Sequence, residues 1–280
     1  MTTDRWTAWL RDRRDGGDAS IRAGHAPALA AYREGVLDRA RIAGGDIVLD
    51  VGAGTGLVGL GALERVGPAG RVVFSDVSAA LLDECRRAAA GDPRCEFVVA
   101  GAEDLSAVPD SSVDVVTTRS VLIYVERKAA AFAEMRRVLR PGGRLSLFEP
   151  INRFAPAGRL LGLDLAPVAD LAAKVLSAYP AVEAMVGFDE RDLLRLAAEA
   201  GFSDIVLDYR AEVDVSAPPI GDWRALLNTA PNPLAPTYAE AIEATLSPGE
   251  RHRLEACLAE MADVPTRRTA AAAFLAAECR

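Results

Sequence analysis

Histidine is nearly missing from this chain: His25 and His252 are the only two among 280 residues. The four cysteines, Cys85, Cys95, Cys257 and Cys279, stand far apart with no Cys-x-x-Cys spacing. A zinc constellation needs several such ligands at short spacing, so no metal site is expected. The cysteines read as reduced cytosolic thiols. No apolar run approaches the roughly 18 residues of a membrane span. The first residues, with Asp4, Arg5, Asp12 and Asp15, lack the apolar stretch of a secretory signal. A soluble, cytoplasmic protein is therefore expected. Positive charge is also short: 32 Lys and Arg face 40 Asp and Glu, for a net charge of −8. Nucleic-acid binding draws its affinity from clustered cations. The single basic run, Arg136, Arg137, Arg140 and Arg144, is set among acidic residues and reads as a solvated helix face. The expected partner is a small molecule, with no nucleic acid and no membrane.

Glycine, by contrast, is concentrated where it matters. Leu49-Asp50-Val51-Gly52-Ala53-Gly54-Thr55-Gly56-Leu57-Val58-Gly59 is an apolar strand that breaks into a glycine turn and continues as a helix. Glycines there let a cofactor approach the backbone, because no Cβ intervenes. Gly54-x-Gly56-x-x-Gly59, with Asp76 about 20 residues on, formally fits a dinucleotide fingerprint. A pyrophosphate wants bare amides without a fixed negative charge beside them. Asp50 supplies such a charge. It suits a ligand with a cationic end, such as the amino-acid part of S-adenosylmethionine. Asp76 ends the second strand, where a carboxylate accepts both ribose hydroxyls, and Ser78 reads as the N-cap of the helix that follows.

Strand patterns fall at Asp46–Val51, Arg71–Ser75, Glu96–Ala100, Val113–Thr118, Arg144–Glu149, Asp204–Tyr209 and Ala211–Val215, with helical stripes between the earlier ones. Alternating strands and helices predict an α/β doubly wound sheet. Three segments decorate it: a helical N-terminal cap over 1–45, a helical insertion over 151–187 within the core 46–215, and a helical extension over 216–280 that ends in an Ala-rich helix. Ser247-Pro248-Gly249-Glu250 reads as a capping box, and Asp189 as the cap of a further helix. Ligands of open α/β sheets lie outside the carboxyl ends of the strands. The insertion leaves from that edge, so it and the N-terminal helices are candidates for a substrate lid, or else for buried surface or a homodimer interface.

At this point the chain resembles the class I S-adenosylmethionine-dependent methyltransferases. The residues that carry the resemblance are the Leu49–Gly59 run, Asp76, Ala102-Glu103-Asp104-Leu105, Pro109-Asp110-Ser111-Ser112-Val113-Asp114-Val115-Val116 and Arg136-Arg137-Val138-Leu139-Arg140-Pro141-Gly142-Gly143-Arg144-Leu145. They occur in the family's order from about Asp46 to Glu149. Thr118 to Val125 and Phe148 to Arg153 look like a bacterial small-molecule methyltransferase subgroup. The resemblance implies a Rossmann-like sheet of seven strands with the last antiparallel, and S-adenosyl-L-methionine as cofactor. It also implies site roles: Asp50, Gly52, Ala53 and Gly54 at the methionine end, Asp76 on the ribose and Val77 against the adenine. Family members commonly carry an acidic residue where Gly101 stands here. Glu103 or Asp104 is the expected substitute, with the Ala102 amide serving a ring nitrogen. Arg119 and Ser120 fall near the transferred methyl.

Methyl transfer from an activated sulfonium runs on positioning and water exclusion. A base matters only for a hydroxyl or phenol nucleophile. Glu149, ending the fifth strand, is the first candidate, with a salt bridge to Arg153 as the alternative. Tyr124 either orients substrate or packs, and His25 either reaches the site from the N-terminal cap or is an ordinary exposed side chain. The rival functions are an S-adenosylmethionine-binding protein without methyl transfer and an NAD-dependent oxidoreductase.

Overall fold

Five of the apolar segments lie side by side as parallel strands in the computed structural model, which describes residues 4–154, 160–163, 165–179, 183–217, 220 and 222–280. The strands are β1 (Ile47–Val51), β2 (Arg71–Asp76), β3 (Cys95–Val99), β4 (Val113–Arg119), β5 (Leu139–Pro150), β6 (Ser203–Ala217) and β7 (Thr266–Glu278). Their order in the sheet is β3-β2-β1-β4-β5-β7-β6. The reversal between β1 and β4 is the switch point at which doubly wound sheets bind ligands. Strand β7 runs antiparallel to β5, pairing Leu147 with Leu275 and Phe148 with Phe274.

The chain divides into two compact units. One is built from Pro27–Arg153, Glu183–Arg210 and Ala271–Arg280 and holds β1 to β5. Its two cores lie on opposite faces of the sheet, as the alternation of side chains along each strand requires. Leu49, Val51, Val116, Leu145, Leu147 and Leu275 pack with Phe132 and Met135 of the helix Lys128–Val138 and Leu193 of the helix Glu190–Glu199. Val48, Val72, Phe74 and Val115 pack with Val36 and Leu37 and with Ala62 and Leu63 of the helix Leu57–Arg65. Ser78 caps the helix Ala79–Ala88 by accepting from the Leu81 amide at 3.2 Å.

The other unit comprises Met1–Ala26, Phe154–Val182 and Ala211–Ala270. All three decorating segments thus contribute to one body. Its core joins Leu160, Leu163, Leu171 and Val175 to Trp223, Ile242, Leu254 and Leu258. The Trp9 indole donates to the Ala230 carbonyl at 2.8 Å. Asp189 in the first unit and Ser247 in the second form capping boxes with Asp192 and Glu250. Residues 155–159, 164 and 180–182 of the expected insertion lie outside the described residues.

Three expectations are corrected. The Ala-rich last segment is strand β7, not a helix. Alanine favours helices intrinsically, but here Ala273, Leu275 and Ala277 bury in one core while Ala272 and Phe274 pack against the other. A strand with both faces covered is selected by that context and not by propensity. Two short strands after Gly201 are one long strand, β6. The basic run is not a solvated face. Arg137 donates to the carbonyls of Leu105 and Val108 at 2.9 and 3.0 Å, Arg140 pairs with Asp114 at 2.8 Å, and Arg144 pairs with Asp46. These arginines tie down the loops at the edge opposite the glycine turn.

Candidate cofactor and active site

Strand β1 ends at Val51, and Gly52 takes φ 68°, a conformation L side chains rarely adopt. A Cβ added at Gly52 would lie 2.3 Å from Val121 Cγ2, so the turn is in direct contact with the loop after β4. The Gly54 amide donates to Asp76 Oδ2 at 2.8 Å, and Asp76 Oδ1 accepts from the Ser78 amide at 2.9 Å. Asp76 therefore joins the tips of β1 and β2.

Asp50 is turned inward. Its Oδ2 accepts from the Gly59 amide at 2.8 Å and its Oδ1 from the Thr117 hydroxyl at 3.0 Å. The carboxylate expected at the methionine end thus braces the turn from beneath. Glycine is required at position 59, because an added Cβ would lie 2.3 Å from Phe74 Cε1 and 3.0 Å from Asp50 Oδ2. Burial pushes Asp50 up to about 7. The Thr117 hydroxyl, the Gly59 amide and the charge of Arg119 oppose the shift, and Asp76 adds to it. The native state therefore holds this proton more tightly than the unfolded chain does. The stability this contributes is complete below the ordinary aspartate value of 3.8 and is lost as pH rises through about 7. Asp50→Asn, which keeps an oxygen for Gly59, should flatten the decline in stability between about pH 4 and 8. Urea unfolding across that range checks it, and equal slopes in the two proteins would overturn it.

Just past the β2 tip Val77 is 55% exposed, an apolar surface beside the Asp76 carboxylate. Gly101 lies next to it: an added Cβ would stand 3.1 Å from Val77 Cγ1. Ala102 is buried. Glu103 and Asp104, the expected substitutes for the missing acidic residue, are both engaged within the protein. Glu103 accepts from the Arg127 amide at 2.5 Å, and Asp104 accepts from the Ser106 amide at 3.0 Å. Hydrogen bonds from Ser106 hold Asp104 below the ordinary carboxylate range.

The fourth strand delivers Arg119 and Ser120. Arg119 Nη1 donates to Ser120 Oγ at 3.3 Å. Ser120 has φ 54°, and its amide donates to the Phe148 carbonyl at 2.8 Å. Glu149, the expected base, is fully buried and accepts from the amides of Val121, Leu122 and Ile123 at 2.9, 2.8 and 3.2 Å. Those amides, and not Arg153, are its partners. Burial raises its pKa to about 7, against the pull of the three amides and Arg119. A carboxylate enclosed and bonded on both oxygens has no path to a substrate proton, so the expectation of a base at Glu149 is set aside. Tyr124 is half-buried. Burial and the nearby Glu149 charge raise its phenol, with Arg119 opposing. It keeps its proton at neutral pH and acts as a hydroxyl. His25 belongs to the other unit, where its Nδ1 lies 3.2 Å from Asp15 Oδ1. That aspartate also accepts from Arg14 at 2.9 Å and pairs with Arg22 at 3.4 Å.

The residues that sequence reasoning missed are Thr117, Thr118 and Val121. Thr117 holds Asp50, and the buried Thr118 hydroxyl has no hydrogen-bond partner among the described residues. Two threonines ending the apolar run Val113–Val116 were the available signal.

A model of a methyltransferase domain matches residues 48–143. The ubiquinone/menaquinone biosynthesis C-methyltransferase UbiE of Pseudomonas putida is 32% identical over 195 residues, covering 62% of this chain and 72% of that protein. The chain belongs to the class I S-adenosylmethionine-dependent methyltransferase family. It spans less of two other relatives. The UbiE of Hahella chejuensis is 39% identical over 122 residues, 42% of this chain and 48% of that protein. An uncharacterised 37.1 kDa transposon protein of Streptomyces fradiae is 39% identical over 126 residues, 44% of this chain and 35% of that one. The methyltransferase-family fold recurs in the YcgJ protein of Bacillus subtilis, with TM-score 0.55 and 17% identity over 91% of this chain and 99% of that one. It recurs again in a geranyl diphosphate C-methyltransferase of Streptomyces coelicolor solved with S-adenosylhomocysteine, with TM-score 0.52 and 19% identity over 90% of this chain and 76% of that one.

The family's cofactor is S-adenosylmethionine, and the residues present fit it. The turn at Gly52 has no Cβ, the Asp76 carboxylate stands at the tip of β2, and Val77 beside it offers an exposed apolar face. Among the described residues no helix is long and apolar enough to cross a membrane.

Proposed function

We propose that this chain moves the methyl group of S-adenosylmethionine to a small organic acceptor, at oxygen, nitrogen or carbon, by in-line displacement. The observation that carries the reading is Asp76. It accepts the Gly54 amide at 2.8 Å and sits between the glycine turn and the exposed Val77. The cofactor supplies an activated methyl on a sulfonium and needs no further activation from the protein. The protein's part is to hold it and align an acceptor. Gly52, Ala53 and Gly54 offer backbone to the methionine end. Asp76 offers carboxylate to the ribose, and Val77 packs on the adenine. Arg119 and Ser120 lie at the tip of β4, toward the transferred methyl. Tyr124, protonated and half-buried, is a donor for an acceptor's oxygen.

With Glu149 committed to backbone amides, no strong base stands in the site among the described residues. That favours nucleophiles that do not need one: a neutral amine, or a carbon made nucleophilic by a neighbouring oxygen. The relatives named as C-methyltransferases make carbon the first atom to test. The net charge of −8 supports a small acceptor over a polyanion.

Calorimetry with S-adenosylhomocysteine and with NAD tests the cofactor. Micromolar binding of the first and none of the second is expected, and binding of NAD alone would overturn the reading. Release of S-adenosylhomocysteine with a panel of phenols, quinols, amines and enols tests transfer. Tight cofactor binding with no turnover across the whole panel would favour a binding protein that does not methylate.

A further inference from the structure

Glu149 lies fully enclosed in protein. An ionisable side chain fully enclosed by protein is costly unless its environment satisfies it. Here the environment is almost wholly backbone: the amides of Val121, Leu122 and Ile123, three in succession. They lead into the short 3-10 turn Leu122–Tyr124, whose opening N–H groups have no partner within the turn itself. The loop they belong to is strained at its start, since Ser120 takes φ 54° with a side chain attached. Such a conformation persists only where the surroundings over-determine it. Two anchors do so: the Ser120 amide on the Phe148 carbonyl at 2.8 Å, and the neighbouring Glu149 carboxylate. Both anchors sit at the end of β5.

The loop bears directly on the glycine turn. Val121, whose amide is held by Glu149 Oε1, is the residue whose Cγ2 would lie 2.3 Å from a Cβ at Gly52. A chain of contacts therefore runs from the end of β5, through the loop after β4, to the cofactor turn after β1.

We propose that Glu149 is a positioning residue for the cofactor turn: by accepting three successive amides it fixes the one loop conformation that seats Val121 on Gly52, and so sets affinity for the cofactor. The proposal rests on the reading of this turn as the S-adenosylmethionine site. Glutamine at 149 keeps one acceptor oxygen but turns an NH₂ toward an amide that also donates, so it restores the arrangement in part. Alanine leaves all three amides without an acceptor.

The test is calorimetric titration of S-adenosylhomocysteine into the full chain and its Glu149→Gln, Glu149→Ala and Val121→Ala variants, well below each variant's Tm. Backbone amide exchange is followed in parallel. Glu149→Ala should weaken binding by about tenfold and Glu149→Gln by about threefold. Exchange should quicken at residues 121–123 while the β1 amides keep their protection. Val121→Ala should weaken binding by about fivefold without that local change in exchange. A folded Glu149→Ala that binds within twofold of wild type overturns the proposal, even if its Tm falls. If the alanine variant does not fold, Glu149→Gln decides: unchanged affinity and unchanged exchange overturn the proposal. A wild-type chain that binds no S-adenosylhomocysteine overturns the cofactor reading and the proposal with it. Binding by wild type with no loss in the folded variants overturns the proposal alone.

Discussion

Replacing Asp76 with alanine should raise the dissociation constant for S-adenosylhomocysteine by about 100-fold while leaving the protein folded. Two losses add. The ribose hydroxyls lose a charged acceptor, and a hydrogen bond to a charged group is worth about 1.5–3 kcal/mol. The Gly54 amide, now 2.8 Å from Asp76 Oδ2, loses the partner that holds the glycine turn at the tip of β2. The second loss separates Asp76 from a residue that only touches ligand: the alanine protein pays again to order its turn each time it binds. Asp76 is 7% exposed, and the Ser78 hydroxyl still caps the next helix through the Leu81 amide at 3.2 Å. The Gly54 and Ser78 amides each lose a bond to a charged acceptor, so the cost in stability should be about 2–4 kcal/mol. Calorimetry and urea unfolding on the same preparation give both numbers. A folded variant that binds within threefold of wild type would remove Asp76 from the site.

Gly52→Ala should be as damaging to binding and more damaging to the fold. The backbone at Gly52 has φ 68°, which costs an L-residue about 1–2 kcal/mol. The new methyl would then meet Val121 Cγ2 at 2.3 Å. Valine is short and stiff about χ1, so it cannot swing aside. Either the turn or the loop must move, and overpacking of that kind costs about 1–3 kcal/mol. A loss of about 2–5 kcal/mol in unfolding free energy follows, with cofactor affinity falling by about two orders of magnitude. The double variant Gly52→Ala, Val121→Ala separates the two causes. Trimming Val121 relieves the clash but not the φ penalty, so the double variant should be more stable than the sum of the singles requires. Strict additivity would show that the contact between turn and loop carries no energy.

Much of the sheet was legible because its signals are local. Leu49 to Val51, Val72 to Phe74 and Val113 to Val116 are short apolar runs bounded by turn residues, and each became a strand near its expected bounds. The glycine turn was legible because Gly52, Gly54 and Gly56 all take positive φ, a demand that few other residues meet. What failed was non-local. Alanine repeats carry the same local signal in a helix and in a doubly covered strand, and only burial on both faces of β7 decides between them. The direction in which a strand-end carboxylate points is likewise invisible in sequence. Asp50 and Asp76 both lie within the last two residues of parallel strands, yet Asp50 faces inward to Thr117 while Asp76 spans two strand tips. Glu149 was placed correctly at the end of β5 and assigned the wrong task, because its three amide partners come from a loop 26 to 28 residues earlier. The basic run failed for the same reason: carbonyls of Leu105 and Val108 approach Arg137 from distant positions in the chain.

Strand β7 lies between β5 and β6 in the sheet. A nascent chain emerging from the ribosome therefore completes β5 and β6 long before the strand that joins them exists. Until Thr266–Glu278 has been synthesised, the edges of β5 and β6 that face β7 stay unpaired, and open edges recruit other chains. Long-range closures of this kind also slow folding. A chain truncated before Thr266 should therefore give insoluble product, because β7 is the seam of the sheet.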